Sequence, residues 1–260
     1  TKVFHLAAES HVDRSITGPD IFFKSNVMGT LALVEACREY IKASDVTGFR
    51  FVHVSTDEVF GDLDEDDSFF DEFSPYLPNS PYAVSKASSD MIVKAWGRTY
   101  GFPGIITNCS NNFGPYQNLE KFIPTIMASI LNNRRIPVYG TGKNIRDWLF
   151  VRDHVTMLVH IMNCGELRQS YCLGGHNEIS NLNLIQRILT ACQKRDLIAE
   201  TDVIEDWIEF VDDRLGHDWR YAVDTNKYKS IDPEFKPTDM EDSLNETISF
   251  YANLSPVRSV

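Results

Sequence analysis

The sequence predicts an α/β fold: a parallel sheet with helices on both faces, followed by a smaller α/β domain. Two observations predict it. Short apolar runs alternate with helical patterns through the first 110 residues, the signature of βα units. Polar clusters also begin where the apolar runs stop, which is where open α/β sheets place their ligands.

The elements follow in chain order. Lys2 to Ala7 (KVFHLA) is a short apolar run of the kind buried in a parallel sheet. Helical spacing of Ile21, Phe22, Asn26, Met28, Leu31, Val34 and Cys37 predicts a helix over 19–42. Phe49 to Ser55 (FRFVHVS) is the next strand. Ser80-Pro81, a cap residue and then proline at the first helical position, starts a helix running to about Tyr100. Gly104 to Asn108 (GIITN) is a third strand. Beyond it the pattern predicts helices over 122–132, 153–164, 181–194 and 241–253, and strands at 136–139 and 171–173.

Bulk properties narrow the function. The chain has 260 residues, 43% of them hydrophobic and 24% charged, enough for a sizeable core. Its net charge of −12 opposes a nucleic-acid partner, because a phosphate backbone would be repelled. The stretch from Asp62 to Asp71 holds much of that charge and reads as a solvated acidic loop. No run of about 18 apolar residues predicts a membrane span, and no signal peptide opens the chain. Cys37, Cys109, Cys164, Cys172 and Cys192 form no CxxC pair. They read as buried free thiols of a reducing cytoplasm, with no metal site expected.

Tyr82 and Lys86 lie four apart on one predicted helix, so they share a face. A nearby ammonium and the positive helix N-terminus favour phenolate, giving a tyrosine able to act as a base near neutrality. The spacing recurs at Tyr139 and Lys143, around Gly140 and Gly142, where no helix holds the pair on one face. Ser55-Thr56-Asp57-Glu58 sits at the end of an apolar strand. Two carboxyls with different degrees of burial can divide into an acid and a base, although a simple polar turn has the same sequence. Lys121, Arg146 and Arg214 are isolated cations among Asn and Gly, suited to phosphate or to plain solvent exposure. Asn111-Asn112 follows a strand end, as either a ligand-binding amide pair or a turn.

In order along the chain, HLAAESHVDRSITGP (5–19), STDEVFG (55–61), SPYAVSKASSD (80–90), SNNFGPYQNLEKFIP (110–124), VYGTGKNIRDWLFVRDH (138–154) and DDRLGHDWRYAVDTNK (212–227) resemble the dTDP-glucose 4,6-dehydratase family. The resemblance implies a Rossmann-like NAD-binding domain over 1–110 and a smaller nucleotide-sugar-binding domain over 111–260, with about 136–165 returning to the first sheet. It also implies an enzyme, a hydro-lyase. Tyr82 would take the proton of the carbon 4 hydroxyl as hydride leaves for NAD, with Lys86 holding the nicotinamide ribose. Glu58 would remove the proton at carbon 5, protonated Asp57 would give its proton to the departing carbon 6 hydroxyl, and Thr56 would bind the carbon 4 oxygen. Hydride would then return to carbon 6.

By the same resemblance Leu6, Ala7, Ala8, Glu9, Ser10, Ser25 and Asn112 line NAD along with Tyr82 and Lys86. Ser10, Asn111, Lys121, Phe122, Pro137, Val138, Tyr139, Arg146, Asn181, Arg214, His217 and Asp218 line the nucleotide sugar. A homodimer through helices near 20–42 and 81–100 is implied too. Phe60 and Phe113 stand where the family usually has Tyr, and Leu215 where it has Pro. No Gly-x-Gly-x-x-Gly loop occurs, so the first strands are expected upstream, in about 70–80 residues at about 30 per βαβ unit. UDP-glucose dehydration, or a UDP-sugar epimerase or decarboxylase of the superfamily, is the rival reading, and Asp57-Glu58 counts against the latter two. An inactive nucleotide-binding module is the other, and the complete Thr/Asp/Glu/Tyr/Lys set counts against it.

Overall fold

The computed structural model describes residues 1–44 and 46–254. Its strands are β1 (Lys2–His5), β2 (Arg50–Thr56), β3 (Gly104–Cys109), β4 (Asn111–Phe113), β5 (Ile136–Tyr139), β6 (Ile145–Phe150), β7 (Ser170–Leu173), β8 (Glu178–Ser180), β9 (Ile208–Val211) and β10 (Arg220–Tyr221). The first sheet has the order β1-β2-β3-β7, parallel throughout. Neighbouring residues on its strands serve opposite faces. Phe51 and Ile106 pack with Val34, Val93 and Phe102 on one side, while Val52 and Ile105 pack with Leu158, Ile161 and Tyr171 on the other. This two-sided burial explains the unbroken apolar runs in the sequence.

Two smaller assemblies lie beyond this sheet. In one, β6 pairs with β4 and β10 in parallel and with β8 in antiparallel; in the other, β5 pairs with β9. They share a second core that includes Ile126, Ile136, Trp148, Leu184, Ile188 and Ile248. The return to the first sheet comes later than the expected 136–165. Residues 136–150 serve the smaller assemblies, and it is the strand at 170–173 that adds to β3.

The front of the chain is more segmented than the single helix expected over 19–42. It contains α1 (Val12–Thr17), α2 (Pro19–Phe22), a π-helical turn over Phe23–Met28, and α3 (Gly29–Ser44). The π turn carries Asn26, which is buried, and such turns commonly reposition one side chain for function. The helix α4 (Pro81–Tyr100) begins as its sequence dictates. Ala83 N–H donates to Ser80 Oγ at 3.1 Å, Pro81 takes the first turn, and Gly101 ends the helix at φ +70°. Among the described residues no helix is long and apolar enough to cross a membrane. The cysteines are free; four are buried, whereas Cys164 is exposed at a helix end.

Candidate active site

The site forms where β2 runs out. Thr56 is its last residue, and the chain turns at once into a short 3-10 segment, Asp57–Phe60. Thr56 caps that turn, its Oγ1 accepting from Glu58 N–H at 3.3 Å, and the Thr56 hydroxyl donates to Asp57 Oδ1 at 3.3 Å. Asp57 is 1% exposed, and its Oδ2 has no hydrogen-bond partner among the described residues. Burial, then the carboxylates of Glu58 and Asp147, push its pKa well above the ordinary range. Asp57 is therefore a protonated acid at neutral pH. Glu58 opens into the cleft; burial raises it as well, but Arg214 and Arg146 oppose the rise. One carboxyl is thus kept as an acid while its neighbour faces cations that favour the base.

The helix α4 delivers Tyr82 and Lys86 to the same place. Tyr82 N–H donates to Ser15 Oγ at 3.1 Å, and the ring meets Phe22 edge-on. The expected lowering of the tyrosine by Lys86 is not what the structure shows. Burial and the carboxylates of Glu58 and Asp57 push Tyr82 well up, with Thr56 alone among hydrogen-bond partners lowering it. The Lys86 ammonium, also buried, donates to Val54 O at 2.8 Å and is charge-compensated chiefly by Asp90, one turn along the helix. Four residues of helical spacing put both groups on one face without directing the ammonium at the phenol.

Glu58 lies on the wall of a cleft of about 430 Å³ between the sheet and the second assembly. Of the residues expected at the nucleotide sugar, Ser10, Asn111, Lys121, Phe122, Pro137, Val138, Tyr139, Arg146, Asn181, Arg214 and His217 line it. Asn111 Oδ1 and Arg214 Nε are buried there without partners among the described residues, so polar atoms remain available to a ligand. Arg146 is held rigidly: it donates to Asp218 O at 2.8 Å and Trp219 O at 3.1 Å, and its guanidinium stacks on Tyr221. Asp218 does not line the cleft. It is buried, accepts from Asn79 Nδ2 at 2.5 Å and from the Tyr221 hydroxyl, and so positions the arginine's support. Thr56 is likewise behind the wall, reaching the cleft through its neighbours.

A second depression of about 440 Å³ lies at the C-terminal end of β1. It is lined by His5, Ala7, Ala8, Glu9, Ser25, Gly29 and Leu33, which includes four of the residues expected at NAD. Leu6 points away from it, 58% exposed, because alternate residues of an extended segment face opposite sides. Asn112 is also a correction: its amide donates to Ser110 O and contacts Cys109 Sγ, and its Oδ1 meets His154 Nδ1 at 2.7 Å. Those contacts secure the loop after β3 and leave the side chain little to offer a ligand.

Sequence reasoning missed Asn26, Asp13 and Tyr221. Asn26 accepts from Glu9 N–H at 2.8 Å and donates to Glu9 O at 2.9 Å and to Ser85 Oγ at 2.8 Å, fixing the 7–10 segment against α4. Asp13 accepts from the Tyr139 hydroxyl at 3.1 Å and faces Arg214 at 3.7 Å across the cleft. A helix start at His11 would have flagged Asp13; Asn26 looked like one more polar residue on an amphipathic helix.

A family model described as GDP-mannose 4,6 dehydratase matches residues 1–239. The dTDP-glucose 4,6-dehydratase of Shigella flexneri is 45% identical over 272 residues, covering 99% of this chain and 74% of that protein. The chain belongs to the dTDP-glucose 4,6-dehydratase family. A Neisseria meningitidis relative of the same name is 47% identical, covering 96% of this chain and 72% of its own length. Among solved structures, the dTDP-glucose 4,6-dehydratase DesIV from Streptomyces venezuelae, solved with NAD and TYD bound, superimposes with a TM-score of 0.87. It is 38% identical, covering 96% of this chain and 73% of DesIV. The family membership agrees with the parallel sheet and with the cluster at the end of β2.

Proposed function

We propose that this protein dehydrates dTDP-glucose to its 4-keto-6-deoxy product, using NAD. The carrying observation is the buried, protonated Asp57 beside the cleft-facing Glu58, within reach of Tyr82. Elimination of water needs an acid and a base acting on adjacent carbons, and this pair supplies both. Tyr82 takes the proton of the carbon 4 hydroxyl, Thr56 holds that oxygen, Glu58 removes the carbon 5 proton, and Asp57 protonates the departing carbon 6 hydroxyl. NAD, when bound, supplies a reversible hydride acceptor.

The residues at the depression after β1 fit the cofactor. Ala7, Ala8 and Gly29 leave the backbone open, and Ser25 offers a hydroxyl. Arg146, Arg214 and Lys121 are the cations for the diphosphate, in the cleft that Pro137 to Tyr139 floor. The division at about residue 110 into a cofactor domain and a sugar-nucleotide domain belongs to the same reading. So does a homodimer through α3 and α4, whose neighbourhood exposes Ile21, Met28, Met91 and Tyr100. A cytoplasmic setting is supported by the five unpaired cysteines. The test is incubation with NAD and either dTDP-glucose or UDP-glucose, followed by the alkali-induced absorbance of a 4-keto sugar. The dTDP-sugar should give the signal; silence with both, despite bound NAD, rejects the proposal.

A further inference from the structure

Proton accounting around the cycle exposes a step that the assigned roles leave open, and it rests on the reading just proposed. Tyr82 begins as phenolate and ends protonated, holding the proton of the carbon 4 hydroxyl. Asp57 begins protonated and ends as carboxylate, its proton having left in water. Glu58 takes the carbon 5 proton and returns it to carbon 5. The enzyme therefore finishes each turnover with one proton on Tyr82 that belongs on Asp57. Nothing is gained or lost overall, yet the next turnover cannot start until that proton moves.

We propose that the Thr56 hydroxyl is the relay that resets the site, passing a proton from Tyr82 to Asp57 as product leaves. Thr56 accepts the Tyr82 phenolic proton at Oγ1 and gives its own hydroxyl proton to Asp57 Oδ1. One O–H bond forms and one breaks at Thr56, Tyr82 returns to phenolate, Asp57 to carboxylic acid, and the single negative charge moves from one to the other. The geometry is specific. The Thr56 hydroxyl is the only hydrogen-bond partner of the Asp57 carboxyl among the described residues, at 3.3 Å to Oδ1, and Oδ2 has none. Thr56 also hydrogen-bonds Tyr82 and favours its ionised form. All three groups are buried, at 7%, 1% and 8% exposure for Thr56, Asp57 and Tyr82, so bulk water is a poor competitor.

Thr56 can serve both oxygens because of where it stands. As the last residue of β2 it faces α4, while the immediate turn of the chain brings the next side chain back alongside it. The direction of transfer also has a cause. Burial and the neighbouring carboxylates of Glu58 and Asp147 disfavour charge on Asp57, whereas the N-terminus of α4 favours it on Tyr82. While substrate is present its carbon 4 oxygen lies between Thr56 and Tyr82, so the relay closes only on release.

The test compares single turnover, with enzyme in excess, against multiple turnover in the NAD-loaded protein carrying Thr56→Val or Thr56→Ser. Loss of the carbon 4 contact slows both regimes in Thr56→Val. Loss of the relay slows only the second and later turnovers, so the ratio of multiple- to single-turnover rate should fall at least about tenfold, within the range for a positioned proton transfer. Thr56→Ser should restore the ratio. An unchanged ratio in Thr56→Val overturns the relay. A second readout uses the wild-type protein and no variant: infrared difference spectra after one turnover should show the Asp57 acid band, identified by its loss in Asp57→Asn, returning in step with the Tyr82 phenolate band. Asp57 reprotonating ahead of Tyr82 ionisation means that solvent supplies the proton, and the relay falls. Ketosugar formed with either contrary result rejects the relay alone; no ketosugar from wild type rejects the dehydratase reading and the relay with it.

Discussion

Replacing Asp57 with Asn separates the acid from the rest of the site. The side chain is nearly isosteric with the protonated carboxyl, and Oδ2 has no partner to lose, so the fold should tolerate it. The proton for the departing carbon 6 hydroxyl is what disappears. A positioned general acid contributes roughly 10²–10⁴-fold, about 3 to 5 kcal/mol of barrier. With Asp57 at 1% exposure water cannot easily substitute, which favours the upper end. Rapid-quench mass spectrometry of a single turnover should find 4-ketone that still carries its 6-hydroxyl accumulating ahead of product. Equal slowing of ketone formation and elimination would refute the acid assignment.

The same substitution has a stability signature whose sign is fixed. Asp57 is raised in the folded state, so above the unfolded value of about 3.9 the unfolded chain has released a proton that the folded chain retains. Folding stability then falls as pH rises, by up to about 1.4 kcal/mol per pH unit from this group, until the folded pKa is passed. Asn lacks that slope. The Tm of Asp57→Asn relative to wild type should therefore climb from pH 4 upward in thermal melts, and a pH-independent difference would contradict a buried neutral Asp57.

Other outcomes follow from named contacts. Tyr82→Phe should remove the base at carbon 4 and reduce ketone formation by roughly 10²–10⁴-fold in the same quench assay, with substrate binding retained. Asn26→Ala leaves the Glu9 N–H and O unpaired inside the protein, at about 1–3 kcal/mol for a buried group; calorimetry should show weaker NAD binding. Gly175→Ala would place a Cβ 2.0 Å from Trp148 O on the backbone of β6. A misfit of about 1–3 kcal/mol should lower Tm by about 2–4 °C per kcal/mol in a chain of this size.

What the sequence showed and what it hid divide along contact range. The start of α4 was legible because Ser80 and Pro81 act within one turn, and the 55–58 cluster was legible because a strand end is a local event. The pairing of β6 with β4, β8 and β10 was not, since Ile145 to Asp147 find partners some 30 to 75 residues away through two- and three-residue strands that carry no periodicity. The motif matched family residues to most of the cleft, but could not separate Arg146, which faces the cleft, from Asp218, which supports it. Tyr82 shows the limit of spacing most clearly. Position four residues from Lys86 fixed a shared face, whereas its ionisation depends on burial and on carboxylates delivered by a different strand.

The central claim, that one site oxidises carbon 4 and reduces carbon 6 around an elimination, is tested most directly by isotope position. dTDP-glucose carrying deuterium at carbon 4 should give a 4-keto-6-deoxy sugar with that deuterium on carbon 6 of the same molecule, read by NMR and mass spectrometry. Deuterium retained at carbon 4, or a product that keeps its 6-hydroxyl, would contradict the account.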